Sequence, residues 1–345
     1  GGASEPEGLM QVAHMAPPWI PVPPVDYGGT ELMVDLLVRG LRLRHLEVLI
    51  FCAGDSGVAG PKAGPYTRSF WPPEKFSENL HLAYAWDFLK RHPAAIIHSH
   101  LENAAGFWQA AGKSPPLVIT LHTPITDIKR DYLLHFPEVQ LVAASDFQRQ
   151  RLEGHPRLQV IPHGLEVAAY AHALPKEDYL LFLGRIYPDK GLHTAIAAAR
   201  AAGLRLVCAG PVFEADQDYF VRQIAPQVDN HRVIYVGPAN FARKVELLGR
   251  ARALLSPLEV DEAFGLVMLE AMACGTPVIA YARGAVPEVI KHGETGFVAR
   301  SFEELLAGIQ AVADLDPEFC RRHVALNFSW EKMTQAYISL YSSLL

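Results

Sequence analysis

The sequence lacks the long apolar segments and the basic excess that would mark a membrane protein or a nucleic-acid-binding protein. No apolar run reaches about 18 residues, the length that a membrane-spanning helix requires, so we expect no stable membrane anchor. The 37 acidic residues outnumber the 31 Lys and Arg residues, and the resulting net charge of -6 gives nucleic acid little to attract. The composition agrees with an ordinary soluble enzyme.

Cysteine is also scarce, with 4 residues in 345. These cysteines lie far apart, and the first two fall within apolar, strand-like runs. Such residues are typically buried, reduced thiols, whereas disulfides belong to oxidising compartments. A cytoplasmic location is therefore predicted from Cys52, Cys208, Cys274 and Cys320.

Short apolar runs alternate with helical patterns along the whole chain. A length of 345 residues exceeds the usual size of one hydrophobic core, and 50% hydrophobic with 20% charged residues argues against disorder. Helical patterns such as 30–43 and 191–202 separate many of the strands, which is typical of parallel sheets built from βα units. The predicted strands span residues 9–15, 46–52, 95–98, 117–121, 141–144, 179–183, 204–209, 232–236 and 277–280.

Prolines interrupt the middle of the chain at Pro156, Pro162 and Pro175, and a new series of strands starts at Tyr179. The predicted fold class is therefore α/β, with two Rossmann-like parallel-sheet domains that face each other across a cleft. We place the first domain at residues 1–165 and the second at residues 166–328. Ligands of such folds bind beyond the carboxyl ends of the strands.

The segment from Asp261 to Gly275 follows one of these strand ends and carries two glutamates, Glu262 and Glu270, on either side of Gly265. The apolar residues after Gly265 predict a helix, whose free N–H groups would bind an anion. At about 1.5 Å rise per residue, Glu270 lies ~7.5 Å along the axis from Gly265, roughly one sugar ring from a bound phosphate. Two glutamates around a helix start are most often solvated charges, but this spacing also suits a nucleotide sugar.

Together with the sequence G-T-P-V-I-A at Gly275–Ala280, this segment resembles the signature of glycosyltransferase family 4, which comprises retaining nucleotide-sugar enzymes with the two-domain GT-B fold. Four further matches occur in the same order as in the family and extend over nearly the whole chain. One such match would be weak evidence, but five in the same order are specific. The resemblance also implies that residues 329–345 form a helix that crosses back to the first domain. The further matches are the glycine loop Gly28–Glu31, the domain junction Ile161–Gly164, the diphosphate clamp Gly184-Arg185 with Lys190-Gly191, and the loop Gly284–Glu288.

The resemblance implies a donor site in which two cations and two helix starts hold the diphosphate, with Glu270 on the ribose and Glu262 on the sugar. A glycine pair alone is usually a turn, and lone Lys and Arg residues are usually solvated. In the context of the family resemblance, these glycines and cations are expected to stabilise the negative charge that develops on the leaving group. The predicted donor-binding residues are Gly28, Gly29, Gly184, Arg185, Lys190, Gly210, Phe264, Gly265, Leu266, Val267 and Glu270.

His122 ends a predicted strand at a position that resembles the histidine beside the donor sugar in the family, although a histidine there is more often structural. No carboxylate is placed as a nucleophile or base, so the acceptor proton is expected to pass to the departing phosphate. Where the family commonly has Asn-Gly at the junction, this chain has His163-Gly164, which leaves a donor contact there open, as does the atypical loop 281–283. The predicted catalytic residues are His122, Arg185, Lys190 and Glu262.

Asp216-Gln217-Asp218 is a D-x-D sequence, a motif by which another class of glycosyltransferase holds Mn²⁺ or Mg²⁺. Acids are also expected there because a helix starts nearby, and we predict neither a metal nor a cofactor besides the nucleotide sugar. His98 and His100 lack the partner cluster that zinc requires. We expect these histidines either to line the acceptor side of the cleft, with Glu102 near them, or to satisfy hydrogen bonds at a strand end.

The predicted activity is the retaining transfer of a sugar from a nucleoside-diphosphate sugar, a UDP-sugar in preference to a GDP-sugar, to a hydroxyl of a small soluble acceptor. No stripe that would face a membrane is evident, and a monomer or homodimer is expected. The alternatives are an NDP-sugar epimerase or phosphorylase on the same fold and a non-enzymatic nucleotide-sugar-binding protein. Short family members rich in Ala, Arg and Pro include enzymes of bacterial secondary metabolism, so the resemblance points to an antibiotic pathway such as that of avilamycin.

Overall fold

The computed structural model describes residues 10–345 and contains two parallel β-sheets joined by helices. The strands are β1 (Gln11–Met15), β2 (Glu47–Phe51), β3 (Lys62–Ala63), β4 (Ile96–Ser99), β5 (Leu117–Thr120), β6 (Gln140–Ala143), β7 (Leu158–Val160), β8 (Tyr179–Leu183), β9 (Arg205–Ala209), β10 (Val233–Tyr235), β11 (Ala253–Ser256), β12 (Val278–Tyr281) and β13 (Gly296–Ala299). The predicted strand 9–15 corresponds to β1, and Leu9 lies outside the described residues.

Thirteen α-helices occur within residues 10–345, most of them between consecutive strands. They are α1 (Gly29–Leu43), α2 (Lys75–Arg91), α3 (Ala104–Ala110), α4 (Asp127–Leu134), α5 (Asp146–Gln150), α6 (Leu192–Ala202), α7 (Gln217–Tyr219), α8 (Phe241–Arg250), α9 (Leu266–Ala273), α10 (Val286–Val289), α11 (Phe302–Ala311), α12 (Pro317–Asn327) and α13 (Trp330–Leu344).

The two sheets have the strand orders β3-β2-β1-β4-β5-β6-β7 and β10-β9-β8-β11-β12-β13. Helices cover both faces of such sheets, which is why the central strands read as continuous apolar runs in the sequence. In each sheet the strand order reverses beside the first strand, at β1 and at β8. A crevice opens beyond the carboxyl ends of the strands at such a point, and here the two crevices face each other. The α/β class and the two parallel-sheet domains expected from the sequence are confirmed.

The last helix returns to the first domain. Leu165 forms an isolated bridge with Ser329, and α13 then packs against α1. Tyr337 and Tyr341 of α13 are fully buried. The predicted boundary between residues 165 and 166 falls between β7 and β8, next to this crossing point.

Candidate functional site

The carboxyl ends of the two sheets border a cleft with a volume of about 420 Å³, which is in the range of small-ligand sites. Both domains contribute to its wall. All eleven residues predicted to bind the donor line the cleft, as do the predicted catalytic residues His122 and Glu262. The tertiary structure thus brings together residues that are spread over more than 240 positions of the sequence.

Two helix N-termini meet in this cleft. Helix α9 follows Gly265, which has a φ of 96°, and α1 follows Gly28, with a φ of 146°. Left-handed backbone of this kind favours glycine. A Cβ atom on Gly29 would lie 3.6 Å from the side chain of Leu266, so the two helix starts approach each other closely. Their unpaired N–H groups and dipoles therefore favour an anion at the same place.

Lys190 and Arg185 stand at the same end of the cleft, and each is already oriented by a carboxylate. Lys190 Nζ lies 3.4 Å from Glu262 Oε2, and Arg185 Nε lies 2.8 Å from Asp216 Oδ2. Burial alone would lower the pKa of Lys190, but the negative charge of Glu262 and the nearby tyrosines raise it above its ordinary value. Lys190 is therefore a permanent cation at neutral pH.

Aromatic rings further restrain Arg185. Its guanidinium carbon lies 4.5 Å from the centre of the Tyr187 ring and 4.7 Å from that of Phe213, which is the range of cation–π contacts. The ring of Tyr27, from the first domain, stands edge-on to Phe213 at 5.5 Å. The arginine is thus preorganised for a planar, two-point contact with a phosphate.

The D-x-D sequence does not present two carboxylates to one ion. Asp216 is buried against Arg185, whereas Asp218 is exposed and pairs with Arg222 at 2.9 Å. The contact of Asp216 with Arg185 is a role that sequence reasoning missed, since the residues are 31 positions apart.

Glu270 is buried on α9, one turn after the helix begins, and two partners approach its Oε2 atom. The hydroxyl of Tyr170 donates to it at 2.7 Å, and Lys244 Nζ lies 2.6 Å away. Burial and the charge of Glu270 raise the pKa of Tyr170 well above its ordinary value, so Tyr170 stays protonated and donates. Both contacts use one oxygen, which leaves Oε1 for a ligand hydroxyl. Tyr170 and Lys244 were not identified from the sequence, where neither belongs to a motif.

His122 lies half-buried in the cleft wall and faces the second domain. Its ring stacks on His163 at 5.2 Å with 21° between the planes, and the ring of His163 stands edge-on to Phe264 at 4.9 Å. Burial, with the charges of His163 and Lys129, holds the pKa of His122 well below its usual range. The histidine that replaces the family asparagine at position 163 thus contributes a ring between the sugar-site candidates His122 and Phe264.

The residues expected near an acceptor are placed differently. His98 and His100 are 0% and 4% exposed and do not line the cleft. Their ring nitrogens form hydrogen bonds with other side chains. Of the two expectations, hydrogen bonding at a strand end is therefore the one that fits these histidines. Because their rings are enclosed, they cannot contact an acceptor. Glu102 pairs with Lys129 at 3.0 Å, also outside the cleft wall.

An apolar stripe lies exposed on α2, although none was evident from the sequence. Phe76, Leu80 and Tyr84 follow each other at a spacing of four residues and are 80%, 54% and 37% exposed. Acidic and basic side chains share this helix, as in the Lys90–Asp87 pair, and they reduce its attraction for an anionic surface. Among the helices of residues 10–345, none is both long and apolar enough to cross a bilayer.

Comparison with known families gives two adjoining matches. Residues 27–169 match the family described as Glycosyltransferase Family 4, and residues 170–323 match Glycosyl transferases group 1. The chain is also 28% identical to D-inositol 3-phosphate glycosyltransferase of Mycolicibacterium paratuberculosis, over 92% of this chain and 86% of that protein. A protein of the same name from Mycobacterium bovis is 28% identical over 61% of its own length.

Solved structures share the fold over almost the whole chain. AviGT4, a glycosyltransferase involved in avilamycin A biosynthesis, is 24% identical with a TM-score of 0.73, covering 97% of this chain and 98% of that one. HepE from Anabaena, solved in complex with UDP and glucose, is 20% identical with a TM-score of 0.76, covering 97% and 100%. At these identities the likeness shows a shared fold, and it confirms the GT-B fold expected from the sequence.

Proposed function

The chain belongs to the glycosyltransferases of family 4, and on this premise we propose that it moves a sugar from a nucleoside-diphosphate sugar to an acceptor hydroxyl with retention of the anomeric configuration. The observation that carries the proposal is the convergence of two helix starts and two fixed cations, Arg185 and Lys190, on one end of the cleft. A diphosphate is the ligand that matches this arrangement.

The leaving group gains about one negative charge as the glycosidic bond breaks. N–H groups at Gly265–Val267 and Gly29, together with Lys190 and Arg185, face this charge without any need to reorganise, which is the main source of catalysis in such sites. Glu270 receives the ribose through Oε1. Glu262, Phe264 and His122 border the space beyond the phosphates, where the sugar would lie.

The acceptor hydroxyl attacks from the face that carries the leaving group and passes its proton to the departing phosphate oxygen. This route needs no protein base across the anomeric carbon. It also needs no metal, because the helix starts and cations already balance the diphosphate charge.

The donor we propose is a UDP-sugar, in line with the ligands named for HepE. The acceptor we propose is a small soluble molecule, in line with relatives named for inositol 3-phosphate, which is a small polyol. The likeness to AviGT4 and the composition of the chain support a place in bacterial secondary metabolism. The four free, buried cysteines favour a cytoplasmic reaction.

A panel of nucleotide sugars tests the proposal. A ligand that binds the folded protein but not the unfolded chain raises the melting temperature by mass action. The true donor should therefore stabilise the protein more than the other nucleotide sugars of the panel do. With that donor and an acceptor found by screening, an α-linked sugar should give an α-glycoside, read from the coupling of the anomeric proton by NMR. A β-linked product would refute retention, and no stabilisation by any NDP-sugar would refute the donor class.

A further inference from the structure

A chain of hydrogen bonds runs from the cleft into the first domain and ends on the crossing helix α13. Three of its members, His14, His98 and His100, lie at the carboxyl ends of β1 and β4. The links, in order, are His122 Nε2 to His100 Nδ1 at 2.8 Å, His100 Nε2 to His14 Nδ1 at 3.1 Å, His14 Nε2 to Tyr341 Oη at 3.5 Å, Tyr341 Oη to His98 Nδ1 at 2.5 Å, His98 Nε2 to Thr120 Oγ1 at 2.7 Å, and Thr120 Oγ1 to Tyr337 Oη at 2.8 Å.

The three histidines also lie close enough to ligate a metal, with ligand atoms within 4.8 Å of one another. Their geometry favours the hydrogen-bond chain instead. The ring of His100 stacks on those of His14 and His98 with 17° and 23° between planes, whereas ligands of one ion direct their nitrogens to a common centre. Each of their ring nitrogens is already bonded to another side chain.

Every group in the chain is neutral at pH 7. Burial lowers the pKa of His14 to about 3 and holds the pKa values of His98 and His100 well below the usual range. Burial also raises the pKa values of Tyr337 and Tyr341. Each of the seven groups therefore carries one proton for hydrogen bonding, and the protons can point either toward the cleft or away from it.

The inner end of the chain decides between these directions. Tyr337 is fully enclosed, and within residues 10–345 its hydroxyl has Thr120 as its single side-chain partner. If the protons pointed inward, the hydroxyl proton of Tyr337 would be buried without an acceptor, which is costly. If they point toward the cleft, every buried proton is accepted. The second direction is thus favoured by a factor of about ten or more.

We propose that this chain holds His122 in the tautomer with its proton on Nδ1, so that His122 offers the cleft a hydrogen-bond donor and not a base. His122 Nε2 is turned inward to His100 and accepts its proton, so Nδ1 is the nitrogen left to face the ligand. Tyr341 and Thr120 are then positioning residues that act through the chain. The tautomer itself does not depend on the proposed function. Only the atom that accepts the Nδ1 hydrogen bond, an oxygen of the donor sugar, rests on that function.

The tautomer can be read by ¹⁵N NMR of histidine-labelled, ligand-free protein at pH 7.5, with the His122 signals assigned by their loss in His122→Gln. We expect a protonated Nδ1 and an unprotonated Nε2. Tyr341→Phe removes the hydroxyl between His98 and His14, so a second His122 tautomer should appear. Thr120→Val removes the hydroxyl between Tyr337 and His98 and should have the same effect. It therefore serves as the test if the first variant fails to fold.

The matched control is Tyr179→Phe in the second domain. Tyr179 is also buried and its hydroxyl donates to Leu247 O at 2.7 Å, but it lies outside the chain, so His122 should keep its spectrum. A protonated Nε2 on His122 in the parent protein would overturn the proposal. So would an unchanged His122 spectrum in the Tyr341→Phe and Thr120→Val proteins.

Turnover supplies an independent readout. Glutamine can donate a hydrogen bond but cannot take up a proton, so His122→Gln should exceed His122→Ala in kcat by about tenfold. Equal losses of about 10² or more in both variants would indicate a general base instead. If no NDP-sugar supports turnover at all, the proposed function fails while the NMR result still stands.

Discussion

Lys190 and Arg185 are each paired with a carboxylate, and the two pairs differ in what they do. Glu262 belongs to the cleft wall, so its pairing with Lys190 can open when a ligand binds. Asp216 is buried behind Arg185 and serves to hold the guanidinium in place. We therefore expect Glu262 to contact the ligand and Asp216 to support Arg185.

Replacing Lys190 by Ala should lower kcat by roughly 10² or more, the usual effect of losing a preorganised group that stabilises leaving-group charge. The fold should survive. The control is Lys113→Ala, since Lys113 also pairs with a glutamate, Glu138 at 2.8 Å, but outside the cleft. Steady-state kinetics with a verified donor decides the matter, and an unchanged kcat in Lys190→Ala would remove this residue from the mechanism.

The two signature glutamates should separate nucleotide binding from sugar binding. Glu270→Ala should weaken the binding of both free UDP and UDP-sugar, whereas Glu262→Ala should spare UDP and weaken the intact donor or its turnover. The reason is their placement on opposite sides of the α9 start. Calorimetry on the two variants measures this contrast, and equal losses of UDP affinity would contradict the placement.

The two acids of the D-x-D sequence provide a matched pair for the metal question. Asp216→Asn should lower kcat about tenfold, because Arg185 loses a charged hydrogen-bond partner. Asp218→Asn should have no effect, since Asp218 forms an exposed pair with Arg222. Exhaustive EDTA treatment should leave the parent enzyme active. Activity that disappears with EDTA and returns with Mn²⁺ or Mg²⁺ would instead make both acids candidate ligands.

At the scale of elements, the start of α9 concentrates the most predicted donor contacts in the fewest residues. Its N–H groups face the cleft because Gly265 adopts left-handed backbone and turns the chain sharply after the loop that carries Glu262. Loop, glycine and helix therefore act as one unit, which explains why this segment is recognisable in the sequence.

Gly265→Ala should both destabilise the protein and weaken UDP binding. A non-glycine residue in left-handed backbone costs about 1–2 kcal/mol, and the added Cβ would lie 2.2 Å from Met268 Cε. Gly293→Ala is the control, because Gly293 has a φ of 82° with open space around it and lies away from the cleft. Both variants should unfold at lower urea concentration, and Gly265→Ala alone should lose UDP affinity. Unaltered affinity would exclude the α9 start as the phosphate site.

The crossing helix α13 has a second effect at this scale. It closes the first domain against α1 and also supplies the inner end of the hydrogen-bond chain that reaches His122. The family position of this helix thus has a chemical consequence in this chain, through Tyr337 and Tyr341.

At the scale of the whole molecule, the start of α5 in the first domain is joined to the second domain by hydrogen bonds. Glu288 of the second domain accepts bonds from the backbone N–H groups of Asp146 and Phe147 at 2.7 Å and 3.0 Å. Ser145 Oγ donates to Ala263 O at 2.7 Å, directly before the α9 start. One of these bonds therefore joins the first domain to the loop that carries Glu262.

Buried histidines should make the molecule sensitive to acid. Burial lowers the pKa values of His14 and His163 to about 3 and that of His81 to about 4, from an ordinary value of 6.5. The unfolded chain therefore binds more protons below pH 6.5, and stability falls as the pH drops from 6.5 toward these lower values. Each histidine contributes about 1.4 kcal/mol per pH unit in this window.

Urea unfolding at pH 7.5, 6 and 5 measures the effect. The midpoint should decrease steeply below pH 6.5 and change little above it. The control is His92→Gln, an exposed histidine whose replacement should leave the pH dependence as it was. A midpoint independent of pH between 7.5 and 5 would contradict the neutral, buried state of these rings.

Much of the molecule was determined by local sequence pattern. Apolar runs alternating with helical segments specified two parallel sheets, because buried strands and amphipathic helices have different periods. The loops at Gly28, Gly184 and Gly265 were recognisable because backbone that approaches a phosphate or turns into a helix tolerates few residues other than glycine. All residues predicted for the donor site line the cleft, although their contacts with a donor remain predictions.

Other features were decided by the tertiary structure alone. Tyr170 reaches Glu270 across 100 positions and Tyr341 reaches His98 across 243, and no local pattern encodes such pairings. A histidine at a strand end reads the same whether it faces a ligand or a tyrosine, which is why the placement of His98 and His100 stayed open. Periodicity follows from the neighbours of a residue in the chain, whereas the partner of a buried polar atom depends on which element packs over it.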